Sequence, residues 1–378
     1  MATQKQSKTL RISLVLSLIV AVLFGFLAGI VGELWINNFL APDVQFKNYR
    51  DLTTRLDDLI ASKNRELKDI LTDYDFSYQK VVENIQPVTV RFYNYKKSGN
   101  RLENIYLDDQ SLGGGFILTS DGWLVTNQNV ITDPKKPYSV QIGNKVYEVN
   151  TIFADTLTEV ILVKIDANNL PVADLGSSNS LISSQTVLLS ALGGNVVRTT
   201  VKNLNYADIN SSTDLIQSSE NYYRYVLLDG SFDKIYLGSP IVGLSGKIIG
   251  LLLSSDGLVL PIDNLANVMK SIVQKGEVER SFLGVNYLDL QLVPNFDVNT
   301  TKGAYLISGS RPAVIPDSPA SKVGLKAGDI IIKVESDEVN EKNSLTRLIQ
   351  DYQIGADIQL TIIRDGAEQK VNVVLEKL

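Results

Sequence analysis

The stretch GGGFILTSDGWLVTNQNVI, residues 113–131, decides the fold class. Two apolar runs flank Asp121–Gly122, and glycine permits the positive φ that a tight turn requires, so the stretch predicts a β-hairpin. Similar strand-and-turn units follow at residues 138–149, 158–166, 183–193 and 241–261. Short strands at this spacing predict an all-β region of roughly 180 residues, closed as a barrel or a sandwich.

Two further segments follow this β region. Residues 263–276, DNLANVMKSIVQKG, predict a helix with Asp263 or Asn264 as its N-cap and Gly276 as its C-terminal stop. The last hundred or so residues run from RSFLGVNYL at 280–288 to DIQLTIIRDGAEQKVNVVLEKL at 357–378. They alternate strands with two short helices and end in a hairpin that turns at Asp365–Gly366, which predicts a small α+β domain.

The N-terminus begins with a basic tail, residues 1–11, that carries Lys5, Lys8 and Arg11 and no acidic residue. Residues 12–32 form an apolar run long enough to cross about 30 Å of hydrocarbon as a helix. The basic residues before it predict a cytoplasmic N-terminus and an extracytoplasmic remainder. A cleaved signal peptide is the alternative, but the run exceeds the usual apolar region and lacks an Ala-x-Ala site.

Residues 33–80 predict a helical stalk or linker, because apolar residues recur there at spacings of three and four. The apolar stripe drifts and does not keep a strict heptad. A coiled-coil stalk and a helix packed on its own domain therefore both remain open.

Composition excludes several function classes. The 378 residues contain no cysteine and no histidine, which removes disulfides, thiolate catalysis and the commonest metal ligands. The net charge of -6 makes nucleic acid an unexpected partner. LGGGF at 112–116 does not continue as a phosphate-binding loop, and the acidic pairs have no calcium-loop spacing. We expect no cofactor and no metal.

Several long motifs resemble the membrane-anchored HtrA/Deg family. GGGFILTSDGWLVTNQNVI is similar to the family hairpin that ends in Thr-Asn-x-His-Val, and residues 227–253 align with the stretch that carries Gly-Asn-Ser-Gly-Gly-Pro-Leu. SFLGV, SPASKVGLKAGDIIIKV and RDG are close to its PDZ signatures. The resemblance implies a mainly β protein with a trypsin-like double six-stranded β-barrel at 81–276 and a C-terminal α+β PDZ domain at 277–378.

The resemblance does not carry the catalytic triad with it. The family's His, Asp and Ser positions fall on Asn129, Glu159 and Leu237, and its oxyanion loop falls on Ile235 and Gly238. Leucine has no nucleophilic atom and asparagine cannot relay a proton near neutral pH. These positions therefore predict a pseudoenzyme.

Two readings of the residues around that site remain open. Ser239 with Lys234 as its base would make a non-standard dyad, although Ser239 lies roughly 6 to 7 Å along an extended chain from the nucleophile position; the alternative, which we favour, is that both are ordinary loop residues. Asn129 and Glu159 are expected to fill the former catalytic cleft as a polar pair.

The resemblance implies a peptide-binding groove in the C-terminal domain. Phe282, Leu283, Gly284 and Val285 match the loop whose backbone N–H groups bind a terminal carboxylate. Gly284 is expected because close approach of the carboxylate leaves little room for a Cβ. Leu345 and Ile349, on the helix of residues 343–352, are candidate apolar contacts or, alternatively, core residues of the domain.

The expected function is that of a scaffold or adaptor in protein quality control of the cell envelope. Its partners would be peptides or protein C-termini through the PDZ domain, and the membrane through the N-terminal helix. Because the family commonly forms trimers, a homo-trimer or a regulatory subunit that co-assembles with an active relative remains open. A serine endopeptidase with non-standard catalytic residues is the third alternative.

Overall fold

A computed structural model describes residues 3–35, 73–97, 102–294, 296–298 and 300–378. The chain divides into two compact units, Met1–Tyr74 and Asp75–Leu378. In the first, helix α1, Thr3–Trp35, contains an apolar stretch, Val15–Glu33, with a mean hydropathy of 2.7 and no buried residue. This helix is long and apolar enough to cross a membrane. Most of the predicted stalk, residues 36–72, lies outside the described residues.

Helix α2, Asp73–Ile85, extends across the expected boundary between stalk and barrel at residues 80 and 81. Its last turns bury Val81 and Ile85 in the core shared by the two barrels. Burial of these two side chains fixes the end of the helix on the folded unit.

The first barrel is built from six antiparallel strands around the quoted hairpin. They are β1 Thr89–Asn94, β2 Gly113–Ile117, β3 Trp123–Asn127, β4 Tyr138–Ile142, β5 Lys145–Asp155 and β6 Val160–Ile165. The strands close in the order β1-β2-β3-β6-β5-β4. The predicted hairpin is confirmed, with Phe116 opposite Val125 and Gly122 at a φ of 101°.

The second barrel closes in the order β10-β13-β12-β11-β7-β8. Its strands are β7 Thr186–Ala191, β8 Asn195–Tyr206, β10 Tyr225–Leu228, β11 Pro240–Val242, β12 Ile248–Leu252 and β13 Leu258–Pro261. Strand β9, Ile216–Ser218, lies between β8 and β10 along the chain but belongs to neither barrel. The expected double six-stranded barrel is confirmed.

Helix α3, Ala266–Lys275, follows the second barrel after a 3₁₀ turn at Ile262–Leu265. The N-cap prediction was wrong, because Leu265 occupies that position without a side-chain cap and Asp263 accepts hydrogen bonds from Ser178 instead. The predicted stop is confirmed, since Gly276 adopts a φ of 72° and donates to the carbonyl of Ile272.

The C-terminal domain combines a twisted antiparallel sheet with two short helices. Its elements are β14 Ser281–Phe282, β15 Asn286–Asp289, β16 Ala304–Leu306, α4 Pro319–Lys322, β17 Ile330–Val334, β18 Asp337–Glu338, α5 Leu345–Gln350, β19 Asp357–Arg364, β20 Ala367–Val374 and β21 Glu376–Lys377. The final hairpin turns at Asp365–Gly366 as predicted, with both residues at positive φ.

One edge of this sheet carries a strand from elsewhere in the chain. The main sheet has the order β20-β19-β17-β16-β15-β9, so β9 adds to β15 although it lies about 70 residues earlier along the chain. The sheet therefore crosses the domain boundary that the sequence places at residues 276 and 277.

Candidate functional site

The cleft between the two barrels contains Asn129, which follows β3 and is exposed. Its Nδ2 donates to the carbonyl of Leu253 at 2.9 Å, and Asn127 donates to the carbonyls of Leu252 and Leu253 at 2.8 and 3.0 Å. The Asn127 side-chain oxygen also accepts from the backbone N–H of Asn129 at 3.0 Å. Two asparagine amides thus connect the end of β3 to the end of β12 in the second barrel.

The expected polar pair between Asn129 and Glu159 is not formed. Glu159 lies in the turn between β5 and β6 with a φ of 61°, and its carbonyl accepts from the backbone N–H of Gln128 at 2.8 Å. Its carboxylate makes no side-chain hydrogen bond or ion pair with any residue that the structure describes. Glu159 therefore adjoins the Asn129 segment only through the main chain.

Leu237 lies in a loop in which two successive backbone donors are already used. Its side chain is half-buried against the core of the first barrel, and its N–H donates to the carbonyl of Lys234 at 3.0 Å. The next N–H, that of Gly238, donates to Leu252 at 2.9 Å. An oxyanion hole needs donors that point at a reacting oxygen, and in this conformation these two N–H groups point at carbonyls of the protein.

Gly238 is required at its position. Its φ is 73°, and a Cβ there would lie 2.4 Å from the Thr126 hydroxyl and 2.6 Å from the Gly114 carbonyl. Ile235, two residues before Leu237, lies in the 3₁₀ turn Lys234–Tyr236 and packs against the core of the second barrel. The loop is therefore packed on both barrels.

Ser239 does not have the surroundings of a nucleophile. Its side chain has no exposed surface, and its Oγ has no hydrogen-bond partner among the described residues. Gly114 lies against it so closely that a Cβ on that glycine would be 2.1 Å from the Ser239 Oγ. Lys234 is exposed and makes no hydrogen bond to Ser239. The structure contradicts a Ser239–Lys234 dyad, because a buried serine cannot contact a peptide substrate.

The second candidate site is the groove beside β15. Its loop, Phe282–Val285, places Gly284 at a φ of 82°, where a Cβ would lie 2.3 Å from the Cβ of Ser318. Glycine is therefore required by the backbone conformation and by Ser318. The N–H groups of Leu283 and Gly284 donate to Oε1 of Glu220, at 3.4 and 3.0 Å.

The groove holds residues 216–220 of the same chain, which we call the docked segment. Strand β9 runs antiparallel to β15, with Ser218 opposite Asn286 and Ile216 opposite Leu288. Beyond the strand, the Ser219 N–H donates to the Val285 carbonyl at 3.0 Å, and the Val285 N–H donates to the Ser219 hydroxyl at 3.1 Å. An added antiparallel strand that ends in an acidic group at the loop is the arrangement by which such domains bind peptides.

Helix α5 covers the docked segment from the other side. The Thr346 hydroxyl donates to the Ser218 carbonyl at 2.7 Å, and the Gln350 amide donates to the Ser219 carbonyl at 3.4 Å. Leu345 and Ile349 have no exposed surface and belong to the core cluster of the domain. They are therefore core residues in this state and do not line an open groove.

Glu220 is the buried acid of this site. Burial raises the pKa of its carboxyl, while hydrogen bonds from Ser219 and from the Gly284 N–H act in the opposite direction. The described donors to this carboxyl are neutral, namely the Ser219 hydroxyl and the N–H groups of Leu283 and Gly284.

Two anchors follow the docked segment. The Tyr223 hydroxyl donates to Asp289, which also forms an ion pair with Arg224. The ring centre of Tyr222 lies 5.6 Å from the guanidinium carbon of Arg280, and Arg280 forms a buried ion pair with Asp155 of the first barrel. These residues hold the C-terminal domain to the barrels.

The sequence did not point to Glu220, Tyr223 or Asp289 as site residues. Their contacts join positions 63 to 66 residues apart, and no periodicity or motif marks residues 216–224. The clustered aromatic and charged residues of SENYYR, 219–224, were the only local signal.

Comparison with known proteins assigns both domains. Residues 113–251 match the family model of the trypsin-like peptidase domain, and residues 282–375 match that of the PDZ domain. A probable periplasmic serine endoprotease DegP-like from Marinomonas sp. (strain MWYL1) is 31% identical over 280 residues, which are 70% of this chain and 57% of the relative. A protein of the same description from Halomonas elongata is 28% identical over 277 residues, 70% of this chain and 56% of the relative. The chain thus spans somewhat more than half the length of these relatives.

Solved structures share the fold. The HtrA-type protease AlgW with a tripeptide superposes with a TM-score of 0.58 at 21% identity, over 80% of this chain and 97% of that one. The same protease with a decapeptide gives 0.56 at 20% identity, over 80% and 98%. A trypsin-like peptidase domain followed by a PDZ domain is the architecture of this chain.

Proposed function

We propose that this chain, which has the trypsin-like and PDZ domains of the HtrA/DegP type, binds peptides and does not cleave them. Its PDZ domain binds peptides or protein C-termini, and its barrel domain serves as a catalytically inactive scaffold. The observation that carries the proposal is the contrast between the two sites. The PDZ groove keeps its backbone donors and holds an extended segment that ends in an acidic side chain, whereas the nucleophile position of the cleft is occupied by Leu237 and the nearby Ser239 is buried.

Both side chains and backbone support inactivity. Asn129, Glu159 and Leu237 occupy the positions that the resemblance assigns to the triad, and loss of a triad member typically lowers turnover by roughly 10⁴ to 10⁶. In addition, the Leu237 and Gly238 N–H groups donate to protein carbonyls. A peptide bond in the cleft would meet neither a nucleophile nor a prepared site for its oxyanion.

We place the folded domains on the extracytoplasmic side of a membrane. The apolar part of α1 would be the anchor, residues 12–32, and the basic residues 1–11 would stay in the cytoplasm. The relatives named above are described as periplasmic, which supports the same side. Protease added to intact spheroplasts should digest the domains of residues 81–276 and 277–378 and leave the N-terminal tail protected.

The descriptions of these relatives favour a second candidate, a serine endoprotease that works with other catalytic residues. Casein hydrolysis by the full chain in detergent micelles separates the two candidates. We expect no cleavage above the background of a S239A variant. Cleavage that S239A abolishes would overturn the pseudoenzyme proposal, because it would require Ser239 to become exposed and reactive.

Peptide binding tests the positive half of the proposal. Fluorescent peptides with a free C-terminal carboxylate should bind the full chain more tightly than the same peptides with a C-terminal amide, since the loop of residues 282–285 recognises an acidic group. Equal affinity for acid and amide would contradict carboxylate recognition.

A regulatory subunit that co-assembles with an active relative is the remaining form of this function. Purification of the tagged chain from its native membrane distinguishes the two forms by composition. A homo-trimer supports the scaffold, and a fixed ratio of this chain to an active HtrA-type protease supports the regulatory subunit.

A further inference from the structure

We infer that the docked segment, residues 216–220, is a built-in ligand of the PDZ groove, with the side-chain carboxyl of Glu220 occupying the place of a peptide's terminal carboxylate. External peptides would bind only by displacing it. The inference rests on the proposed PDZ function and names the chemistry of the ligand: an extended segment that carries an acidic group at the loop.

The contacts of the docked segment are those expected of a peptide ligand. The segment pairs antiparallel with β15, exchanges hydrogen bonds with Val285, and places a carboxyl oxygen 3.0 Å from the Gly284 nitrogen. Helix α5 contributes a third contact through the Thr346 hydroxyl. A segment that only ran along the sheet edge would not need to place its carboxyl group against the N–H donors of the loop Phe282–Val285.

The docked segment closes the site. Leu283, Val285, Leu345 and Ile349 have no exposed surface, and the N–H groups of Leu283 and Gly284 are both satisfied. A second strand cannot add to β15 while β9 occupies its edge, because each edge offers one row of hydrogen-bonding groups. Internal and external ligands therefore exclude each other.

The docked segment can leave the groove without unfolding its neighbours. Residues 210–214, immediately before it, are exposed, and the anchors Tyr223 and Arg224 follow it. Release of residues 216–220 would break the pairing with β15 and leave the ion pair between Arg224 and Asp289 in place. The docked segment is therefore an intramolecular competitor of external peptides.

A disulfide tests whether the segment docks in solution. The chain contains no cysteine, so the double variant S218C/N286C has two thiols and a single intramolecular pairing. Ser218 and Asn286 are direct partners, and the N–H and C=O of Asn286 bond to Ala313 and Ile307 on its other side. Such a non-hydrogen-bonded pair has Cα atoms about 4.5 Å apart, within disulfide reach.

We expect mild oxidation to form this disulfide in the folded full chain in micelles, as mass spectrometry of the cleaved peptides would show. The single variants S218C and N286C serve as controls that cannot close the loop. Failure of the double variant to form the bond would overturn the docked arrangement.

A peptide copied from the segment tests competition. The probe is fluorescein-DLIQSSE, residues 214–220 with a C-terminal amide, so that the glutamate side chain is a carboxyl group at the position of Glu220. A variant with residues 216–220 replaced by Gly-Ser-Gly-Ser-Gly should bind it at least about tenfold more tightly than the natural chain, as expected when about nine-tenths of the natural chain is closed. A probe with glutamine in place of the glutamate should bind that variant more weakly.

The disulfide variant gives a matched comparison in one protein. Oxidised S218C/N286C should not bind the probe, and reduction should restore the affinity of the natural chain. Equal binding by the oxidised and reduced forms would overturn the inference, and so would equal binding by the natural and Gly/Ser-replaced chains or absence of binding by the replaced chain. If the replaced chain fails to fold, as judged by its thermal transition, the oxidised and reduced pair still decides.

The same proteins separate this inference from the proposed function. A set of peptides with free C-terminal carboxylates is offered to the Gly/Ser-replaced chain. Binding of DLIQSSE without binding of any of these peptides would leave the internal ligand intact and refute recognition of protein C-termini.

Discussion

The buried ion pair between Asp155 and Arg280 gives the sharpest test of how the PDZ domain is held. Both side chains are only 3% exposed, and the Arg280 guanidinium donates to Asp155 while its Nη1 has no hydrogen-bond partner among the described residues. In contrast, the Asp155 carboxylate also accepts from the Thr158 hydroxyl and the Leu157 N–H. Removal of the aspartate therefore leaves the worse-compensated charge.

We expect D155A to destabilise the folded unit by about 3 to 5 kcal/mol, the cost of leaving a buried charge unpaired. For the folded unit Asp75–Leu378, an unfolding entropy of about 2.1 cal/mol/K per residue converts this cost to a fall of roughly 5 to 8 °C in the thermal midpoint. R280M should cost less, because Asp155 keeps two donors and the methionine fills the space of the arginine. The double variant D155A/R280M should be more stable than the sum of the single changes predicts.

Differential scanning fluorimetry of the full chain in micelles, at one scan rate for all variants, measures these shifts. The matched control is E277A, which removes an ion pair with Lys377 that is about half-exposed on both sides. Solvent screens this pair, so its midpoint should stay within about 2 °C of the natural chain. A D155A midpoint indistinguishable from that of E277A would refute the reasoning.

Three further outcomes follow from the sites. G284A should lower the thermal midpoint more than G366A, because both glycines have φ near 80° but only the Cβ at 284 meets another atom, within 2.3 Å; equal shifts would contradict this. Because burial raises the Glu220 pKa, docking takes up a proton. The contribution of docking to the stability of the folded unit should therefore be full below about pH 4.5 and fall as pH rises through the raised pKa. The midpoint difference between the natural chain and E220A should shrink accordingly above pH 4.5, and a constant or growing difference would contradict it. The triple variant N129H, E159D and L237S, which restores the triad side chains, should leave casein uncut, because the N–H groups of residues 237 and 238 remain bonded to carbonyls. Strong cleavage by this variant would show that an oxyanion hole is formed.

The barrels were predictable because their strands and turns are specified by residues that lie close together in the sequence. Hairpins such as the one at Asp121–Gly122 depend on a turn residue and on alternation over a few positions, and both are visible in the sequence. The N-cap of α3 was not predictable in the same way. Asp263 has the right chemistry for a cap, but its carboxylate binds Ser178, 85 residues away along the chain, and a 3₁₀ turn begins in its place.

The candidate sites were predicted only in part. The motifs pointed to the loop around Gly284 and to Asn129, Glu159 and Leu237 as candidates, but they could not indicate the partners of these residues. Nothing local indicates that Asn129 bonds to Leu253, or that Leu345 and Ile349 are covered by residues from another domain. Residue type indicates what a side chain is able to bind, whereas the fold determines which partner lies within bonding distance.

The internal ligand has a consequence for any partner of this chain. If about nine-tenths of the chains are closed, a peptide that binds the open groove at 1 μM, as an order-of-magnitude example, binds the natural chain at about 10 μM. Such a partner would need a high local concentration, and confinement of both molecules to one membrane surface supplies it, since tethering commonly gives effective concentrations of about millimolar. If α1 anchors the chain in a membrane as proposed, the groove would open to membrane-associated partners and stay closed to dilute soluble peptides.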